Sequence, residues 1–375
     1  MKKTNAEIVI LGAGVGGYTA AFYAADHGRS VLLVEQEPEL GGVCLQRGCI
    51  PSKALLHVTK LVDEAKESSF RGVEFQEPKI HIEKLRAWKE SIISKLTSGL
   101  KQLAKTRGVT VMQGRGYFED SKTLRIETSE GQSFVEFKTA IIAAGSKPAL
   151  PKVFDLGNPR IMTSTEALEL PEVPKDLLVV GGGYIGMELG SVYAGLGSQV
   201  SLVEALPNIL GDLDADLARP ILAKAQKAFK NMRFNVKVTK MATSGKKIKV
   251  NLELEGNKIE ELYDRVLVSV GRVPLTANIG LENTKVQKDE KGFIKVDEHQ
   301  RTSDPNIFAV GDIVGGAMLA HKAHKEARIA VENIVGENAV FRDVIIPAVV
   351  FTDPEVAWAG PTENEAKKRN IPHKV

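Results

Sequence analysis

With 375 residues the chain is too long for one small core, and two or three domains are expected. Hydrophobic residues make up 43% and charged residues 26%, ordinary for a soluble globular protein, and a net charge of +3 is too mild to argue for nucleic acid. No apolar run reaches the roughly 20 residues of a membrane helix. Two cysteines suit a catalytic pair in a reducing compartment rather than a stapled secreted scaffold. The first 25 residues look like a leader at first sight, but Asn5 and Glu7 interrupt them, so a cytoplasmic protein is expected.

Taken in chain order, Glu7 to Leu11 is a short apolar run that predicts a buried parallel strand. The glycines of Gly12-Ala13-Gly14-Val15-Gly16-Gly17 follow directly, then a helix over Tyr18 to His27, then a second strand ending in Glu35. This is the dinucleotide fingerprint in its required context. Gly12 makes the turn, Gly14 lets a pyrophosphate approach, Gly17 lets helix and strand pack, and Glu35 accepts from ribose hydroxyls. The helix N-terminus supplies N–H groups and positive potential.

Both cysteines, Cys44 and Cys49, lie in the stretch Gly41 to Leu56, GGVCLQRGCIPSKALL. In an ideal helix their Cα atoms would stand about 7.5 Å apart along the axis, whereas a disulfide needs about 7 Å or less. A disulfide therefore requires a tighter turn, which Gly48 permits. Pro51 suits a first helical turn. A helix N-terminus near Cys49, and Lys53 one turn further on, would favour a thiolate. Two core cysteines or a structural disulfide are the blander readings; the surrounding glycines, proline and lysine favour a redox-active pair.

Beyond it, a helix is expected to about Lys66, and Ile82, Leu85, Trp88, Ile92, Leu96, Leu100 and Leu103 predict one long amphipathic helix within Lys79 to Arg107, its lysines 84, 89, 95, 101 and 105 on a solvated face. A strand over Val109 to Met112, an antiparallel ribbon over Tyr117 to Phe137 and a buried strand over Thr139 to Ala144 follow. Five prolines between Pro148 and Pro174 read as a crossing between domains. Leu177 to Val180, Gly181-Gly182-Gly183-Tyr184-Ile185-Gly186, a helix, a strand and Glu204 make a second fingerprint. The residues after Glu204 carry no arginine before Arg219, which favours NAD over its 2′-phosphorylated form. Val236 to Val270 is β-rich, and Ile307 to Val310 is a strand that stops at Gly311-Asp312 before a helix over Met318 to Val335. Two dinucleotide sites with a cysteine pair imply electron transfer, for which flavin and nicotinamide are the natural partners. His321 and His324, three apart on that helix, could make half a metal site, but no further ligand cluster supports one, and no metal is expected.

The cysteine stretch resembles the active-site signature of the pyridine nucleotide–disulfide oxidoreductases, and its Ile50-Pro51-Ser52-Lys53 resembles most their dihydrolipoamide dehydrogenase branch. That resemblance implies an α/β chain with two Rossmann-like dinucleotide-binding domains, for FAD and NAD, and the start of a C-terminal α+β interface domain. It places the first part of the FAD-binding domain at 1–149, the NAD-binding domain at 150–272, the second, central FAD part at 273–345, and the beginning of a truncated dimerisation domain at 346–375. Gly12, Gly14, Gly17, Glu35, Gly42, Lys53, Gly116, Gly145, Asp312, Met318, Leu319, Ala320 and His321 fall to FAD, with Asp312 holding the ribityl chain. Gly181, Gly183, Gly186, Glu204 and Gly271 fall to NAD. Cys44 would exchange with dihydrolipoyl substrate and Cys49 face the flavin, beside a Lys53–Glu188 pair. The implied partners are a lipoyl-bearing protein of a 2-oxoacid dehydrogenase or glycine cleavage complex and a second copy of the chain. The family's base, a histidine in an HPHPTLSE-like motif, has no counterpart; His373 stands in a different context. The alternatives are mercuric ion reductase, a glutathione reductase-like enzyme, or an FAD-binding fragment without turnover.

Overall fold

The computed structural model describes residues 2–211 and 213–375. They form two compact units. The first is built from the chain up to Gln46, Ile93–Lys147 and Arg272–Ile346; the second from Arg47–Ile92, Pro148–Gly271 and Pro347–Val375. The stretch 47–92, inside the expected 1–149 segment, clusters with the second unit, as does 347–375.

Each unit is organised by a strand that runs into a glycine turn. In the first unit Lys2–Leu11 is central. Val31–Glu35 and then Thr110–Gln113 lie parallel on one side, and Gly131–Ile142 and then Ile307–Ala309 lie parallel on the other. In the second, Asp176–Val180 is flanked by Gln199–Val203 and Asn231–Arg233, and by Arg265–Val268 and Ile161–Met162, again all parallel. These strands read as apolar runs because helices cover parallel sheets on both faces; all five residues of Val31–Glu35 are buried. In chain order, each unit also inserts antiparallel strands between the outer strand on one side of its central strand and the inner strand on the other. These are Arg115–Phe118 and Thr123–Thr128 in the first unit. In the second they are Val236–Ser244, Lys247–Leu254 and Asn257–Tyr263. The duplication visible in the glycine motifs thus extends to the topology.

Gly131–Ile142 is one strand of 12 residues where the sequence suggested a ribbon strand and a separate buried strand. Its first half pairs antiparallel with Thr123–Thr128, and the same residues pair parallel with the start of Lys2–Leu11. The proline-rich crossing contributes the edge strand Ile161–Met162 and the helix Ser164–Glu169, which opens on a Thr163–Glu166 capping box.

The long helix is present over Ile82–Thr106; Ile82, Leu85 and Leu100 of the expected stripe pack against core residues, but the rest of the stripe is not turned inward as expected. Trp88, Leu96 and Leu103, expected in the core, are 40%, 41% and 43% exposed. Lys89, Ile93, Thr97 and Ala104 are buried instead. Lys89 tolerates burial because its ammonium donates to the Leu168 carbonyl at 2.6 Å, in the last turn of Ser164–Glu169, and pairs with Glu90 at 2.8 Å. Ile93→Ala should therefore cost about 2–5 kcal/mol, and Leu96→Ala less than about 1 kcal/mol, in denaturant unfolding; equal costs would place Leu96 under a covering surface in solution.

Candidate functional site

The two glycine turns have the same construction. Gly12 and Gly181 sit at φ 98° and 104°, in the left-handed region. A Cβ there would lie 2.5 Å from the Ala143 carbonyl oxygen and 2.4 Å from that of Ser269. A Cβ on Gly17 would lie 1.8 Å from the Gly12 carbonyl oxygen, and one on Gly186 2.0 Å from that of Gly181. These four glycines answer to the protein's own backbone. Gly14 and Gly183 do not. They cap the helices Val15–Asp26 and Tyr184–Gly195 at φ −68° and −71°, which any residue adopts. A Cβ on Gly183 would meet nothing within 4 Å, and one on Gly14 only the Gly42 Cα at 3.9 Å. The space left at both positions would admit close approach by a ligand to the helix N-terminus, as a pyrophosphate would make.

The paired acids complete each turn. Glu35 Oε2 accepts from the Ala13 N–H at 2.6 Å and Oε1 from the Glu37 N–H at 3.0 Å. Glu204 repeats this with the Gly182 N–H at 2.5 Å and the Leu206 N–H at 2.8 Å. Both carboxylates are fixed at the mouth of their turn with lone pairs left for ribose hydroxyls. The residues of both units fit a dinucleotide.

Within the first unit, Gly42, at φ 58°, packs so closely on Gly14 that a Cβ would fall 2.6 Å from its Cα. Gly116 answers to packing, since a Cβ would meet Leu11 Cδ1 at 2.6 Å. Gly145 turns the chain at φ 73°. Met318 and Leu319 lead into the helix Ala320–Ile334, whose first residues, Ala320 and His321, are half-buried and exposed. His324 Nδ1 lies 3.2 Å from the Thr19 hydroxyl, and burial, with Arg328 and His321 near it, holds its pKa below the usual histidine value. Among the described residues no group of three or more His, Cys, Asp or Glu gathers that could hold a metal. Asp312, in the turn Gly311–Val314, accepts from the Ser146 hydroxyl at 2.5 Å. Gly311 N–H donates to Glu326 Oε2 at 2.8 Å, and Glu326 pairs with Lys322 at 2.7 Å. Ser146, Lys322 and Glu326 were not singled out in the sequence, though Ser146 follows Gly145 directly and Lys322 and Glu326 have ion-pair spacing on a helix.

Cys44 lies on the short helix Gly42–Arg47, and both cysteines are half-buried. Burial, and then the nearby Cys44, push the Tyr18 hydroxyl pKa up. Gly48, at φ −148° and ψ −117°, separates that helix from Cys49–Glu67, so Cys49 is the first residue of a 19-residue helix and stands at its positive end. In the second unit this helix packs against Tyr184–Gly195. A Cβ on Gly195 would lie 2.6 Å from Thr59 Cβ, and Leu55, Leu56, Met187 and Val192 share one core. The packing brings Lys53 and Glu188 into one cluster, joined by Phe351. The Lys53 ammonium lies 3.6 Å from the centroid of the Phe351 ring, and the Phe351 N–H donates to Glu188 Oε1 at 3.0 Å. No direct ion pair joins lysine and glutamate. Gly271, at φ 121°, accepts at its carbonyl from the Ala149 N–H at 2.9 Å.

Burial raises the Glu188 carboxyl above its ordinary 4.5, against the lowering effects of the Phe351 N–H, the Lys53 charge and the Ser52 hydroxyl. The unfolded chain therefore ionises Glu188 at lower pH than the folded protein, and folding loses stability as pH rises through that interval. Glu188→Gln keeps an acceptor for Phe351 and removes this loss. It should melt at or above the parent temperature at neutral pH, with the gap closing near pH 4.5. A large loss at neutral pH would mean that Lys53 outweighs the cost of burial.

Residues 6–327 match the family described as pyridine nucleotide-disulphide oxidoreductase. Dihydrolipoyl dehydrogenase of Vibrio parahaemolyticus is 45% identical over the whole chain, which covers 79% of that relative. The Haemophilus influenzae protein of the same name is 44% identical over the whole chain, covering 78% of its length. Among solved structures, the copper(II) complex of the HOCl-induced flavoprotein disulfide reductase RclA from Escherichia coli superposes with a TM-score of 0.85 at 28% identity, over 98% of this chain and 80% of that one. With the twin turns and the cysteine pair already in place, these likenesses settle the family: the chain belongs to the pyridine nucleotide-disulphide oxidoreductases, flavoprotein enzymes that use FAD and NAD.

Proposed function

We propose that the chain is a dihydrolipoyl dehydrogenase, oxidising dihydrolipoyl groups with NAD⁺. The observation that carries this reading is the 45% identity over the whole chain to a protein of that name, on a chain that carries both dinucleotide turns and the cysteine pair. In the chemistry proposed, a dihydrolipoyl thiolate attacks Cys44 of an oxidised Cys44–Cys49 pair and displaces Cys49 as thiolate. The second lipoyl sulfur then displaces Cys44, leaving a lipoyl disulfide and two reduced cysteines. FAD supplies the hydride chemistry that links a dithiol to nicotinamide. The helix N-terminus and Lys53 favour negative charge on Cys49. The FAD residues fall in 1–149 and 273–345 and the NAD residues in 150–272, with a dimerisation segment opening at 346. The partners are a lipoyl-bearing protein of a 2-oxoacid dehydrogenase or glycine cleavage complex and a second copy of the chain, in the cytoplasm. Among the described residues no helix is long and apolar enough to cross a membrane.

The test is NAD⁺-linked oxidation of dihydrolipoamide. Cys44→Ser and Cys49→Ser should each abolish it while FAD stays bound, because neither side chain builds a glycine turn. Retained turnover in either variant would overturn the reading, and bound FAD without NADH-linked turnover in the parent would favour a binding role.

Cofactor choice is tested by hydride transfer from NADH and NADPH to the flavoprotein. NADH should be preferred, and Glu204→Ala should weaken its binding about ten- to a hundredfold, the worth of a charged hydrogen bond. Equal rates with NADPH would contradict the assignment of Glu204.

A further inference from the structure

Three groups on the first unit form a chain with only one possible direction. The Arg272 guanidinium donates through Nε to Ser146 Oγ at 2.7 Å and through Nη2 to the Ser146 carbonyl at 2.8 Å. A guanidinium has no acceptor, so the serine hydroxyl oxygen must accept from it. The single Ser146 proton is then left for Asp312 Oδ2, at 2.5 Å. Ser146 is 1% exposed and the Arg272 side chain 9%, so the serine's bonds are largely shielded from water. Arg272 Nε also lies 3.9 Å from Asp312 Oδ2 and offsets its charge.

The backbone beside Asp312 is held separately. Gly311 N–H is bound by Glu326, a buried carboxylate whose other oxygen pairs with Lys322. What remains to be set is the direction of the Asp312 side chain, and the donor from Ser146 sets it. Oδ2 is engaged inward. Oδ1 has no hydrogen-bond partner among the described residues, on a side chain that is 25% exposed.

We infer that Ser146, oriented by Arg272, is the positioning residue that aims Asp312 Oδ1 at a ribityl hydroxyl of FAD. This rests on the reading of Asp312 as an FAD residue. Arg272 acts on Asp312 through Ser146, so the two form one relay.

The experiment follows FAD release from the purified holoenzyme by the rise in flavin fluorescence on dilution. Ser146→Ala and Arg272→Met should each release FAD about tenfold faster, the worth of one hydrogen bond to a charged group. The double variant should be no faster than either single one. Ser146→Thr, which keeps the hydroxyl, should behave as the parent, a rescue that a packing role for the serine would not give. Arg272→Lys keeps the charge without the two-point hold on Ser146 and should match Arg272→Met; parental behaviour would make charge alone sufficient and overturn the relay. So would additive losses in the double variant, or a Ser146→Ala protein that holds FAD as the parent does while Asp312→Ala releases it. If Asp312→Ala itself holds FAD normally, the reading of Asp312 fails first.

Discussion

A carboxylate that binds the backbone of a glycine turn is the constraint on which both units depend. Glu35 and Glu204 each accept from an N–H inside the turn and another just past their own strand. Two neighbouring strand ends are thereby tied through one side chain. The turn can then place a helix N-terminus over open space, with Gly14 or Gly183 at the point of approach. Without that anchor the turn would have to be held by packing, and packing there is limited because Gly12, Gly17, Gly181 and Gly186 have no room for a side chain.

Around this anchor the two units diverge in what they add. The first adds a second layer of fixed polar groups, Asp312 with Ser146 and Arg272, and Gly311 with Glu326 and Lys322. The second adds a charged cluster organised by an aromatic ring, Lys53 and Glu188 about Phe351. Burying charges is costly unless each has a partner. Here the partners are largely backbone groups and a π face, which offset part of that cost without neutralising either side chain. Such an arrangement leaves an acid whose protonation remains responsive to what comes near it.

Much of this was legible in the sequence. The glycine turns were, because backbone geometry at Gly12, Gly17, Gly181 and Gly186 tolerates no other residue and the spacing to the acids repeats. The cysteine pair and Lys53 were, because they lie within a few residues of one another. The inward face of Ile82–Thr106 was legible only in part. Apolar spacing marked Trp88, Leu96 and Leu103, but a lysine with a carbonyl to bind and a threonine bonded to its own helix can be buried in their place. The Phe351 and Ser146 contacts, which join residues 163 and 166 positions apart in the chain, were not. Neither partner carries any local sign of the other.

The double use of Gly131–Ile142 has a consequence for how the first unit tolerates change. The strand is paired antiparallel along its first half and parallel on both edges of its second, and four residues past its end the chain reaches Ser146. It acts as a ruler, because its register against one neighbour fixes its register against all of them and the distance to the loop that follows. A residue gained or lost inside it cannot be absorbed on one side alone, since a shift by one turns every later side chain to the opposite face. A change of length on the hairpin that leads into this strand is best absorbed at its tip near Ser129 and Glu130, where the chain meets solvent.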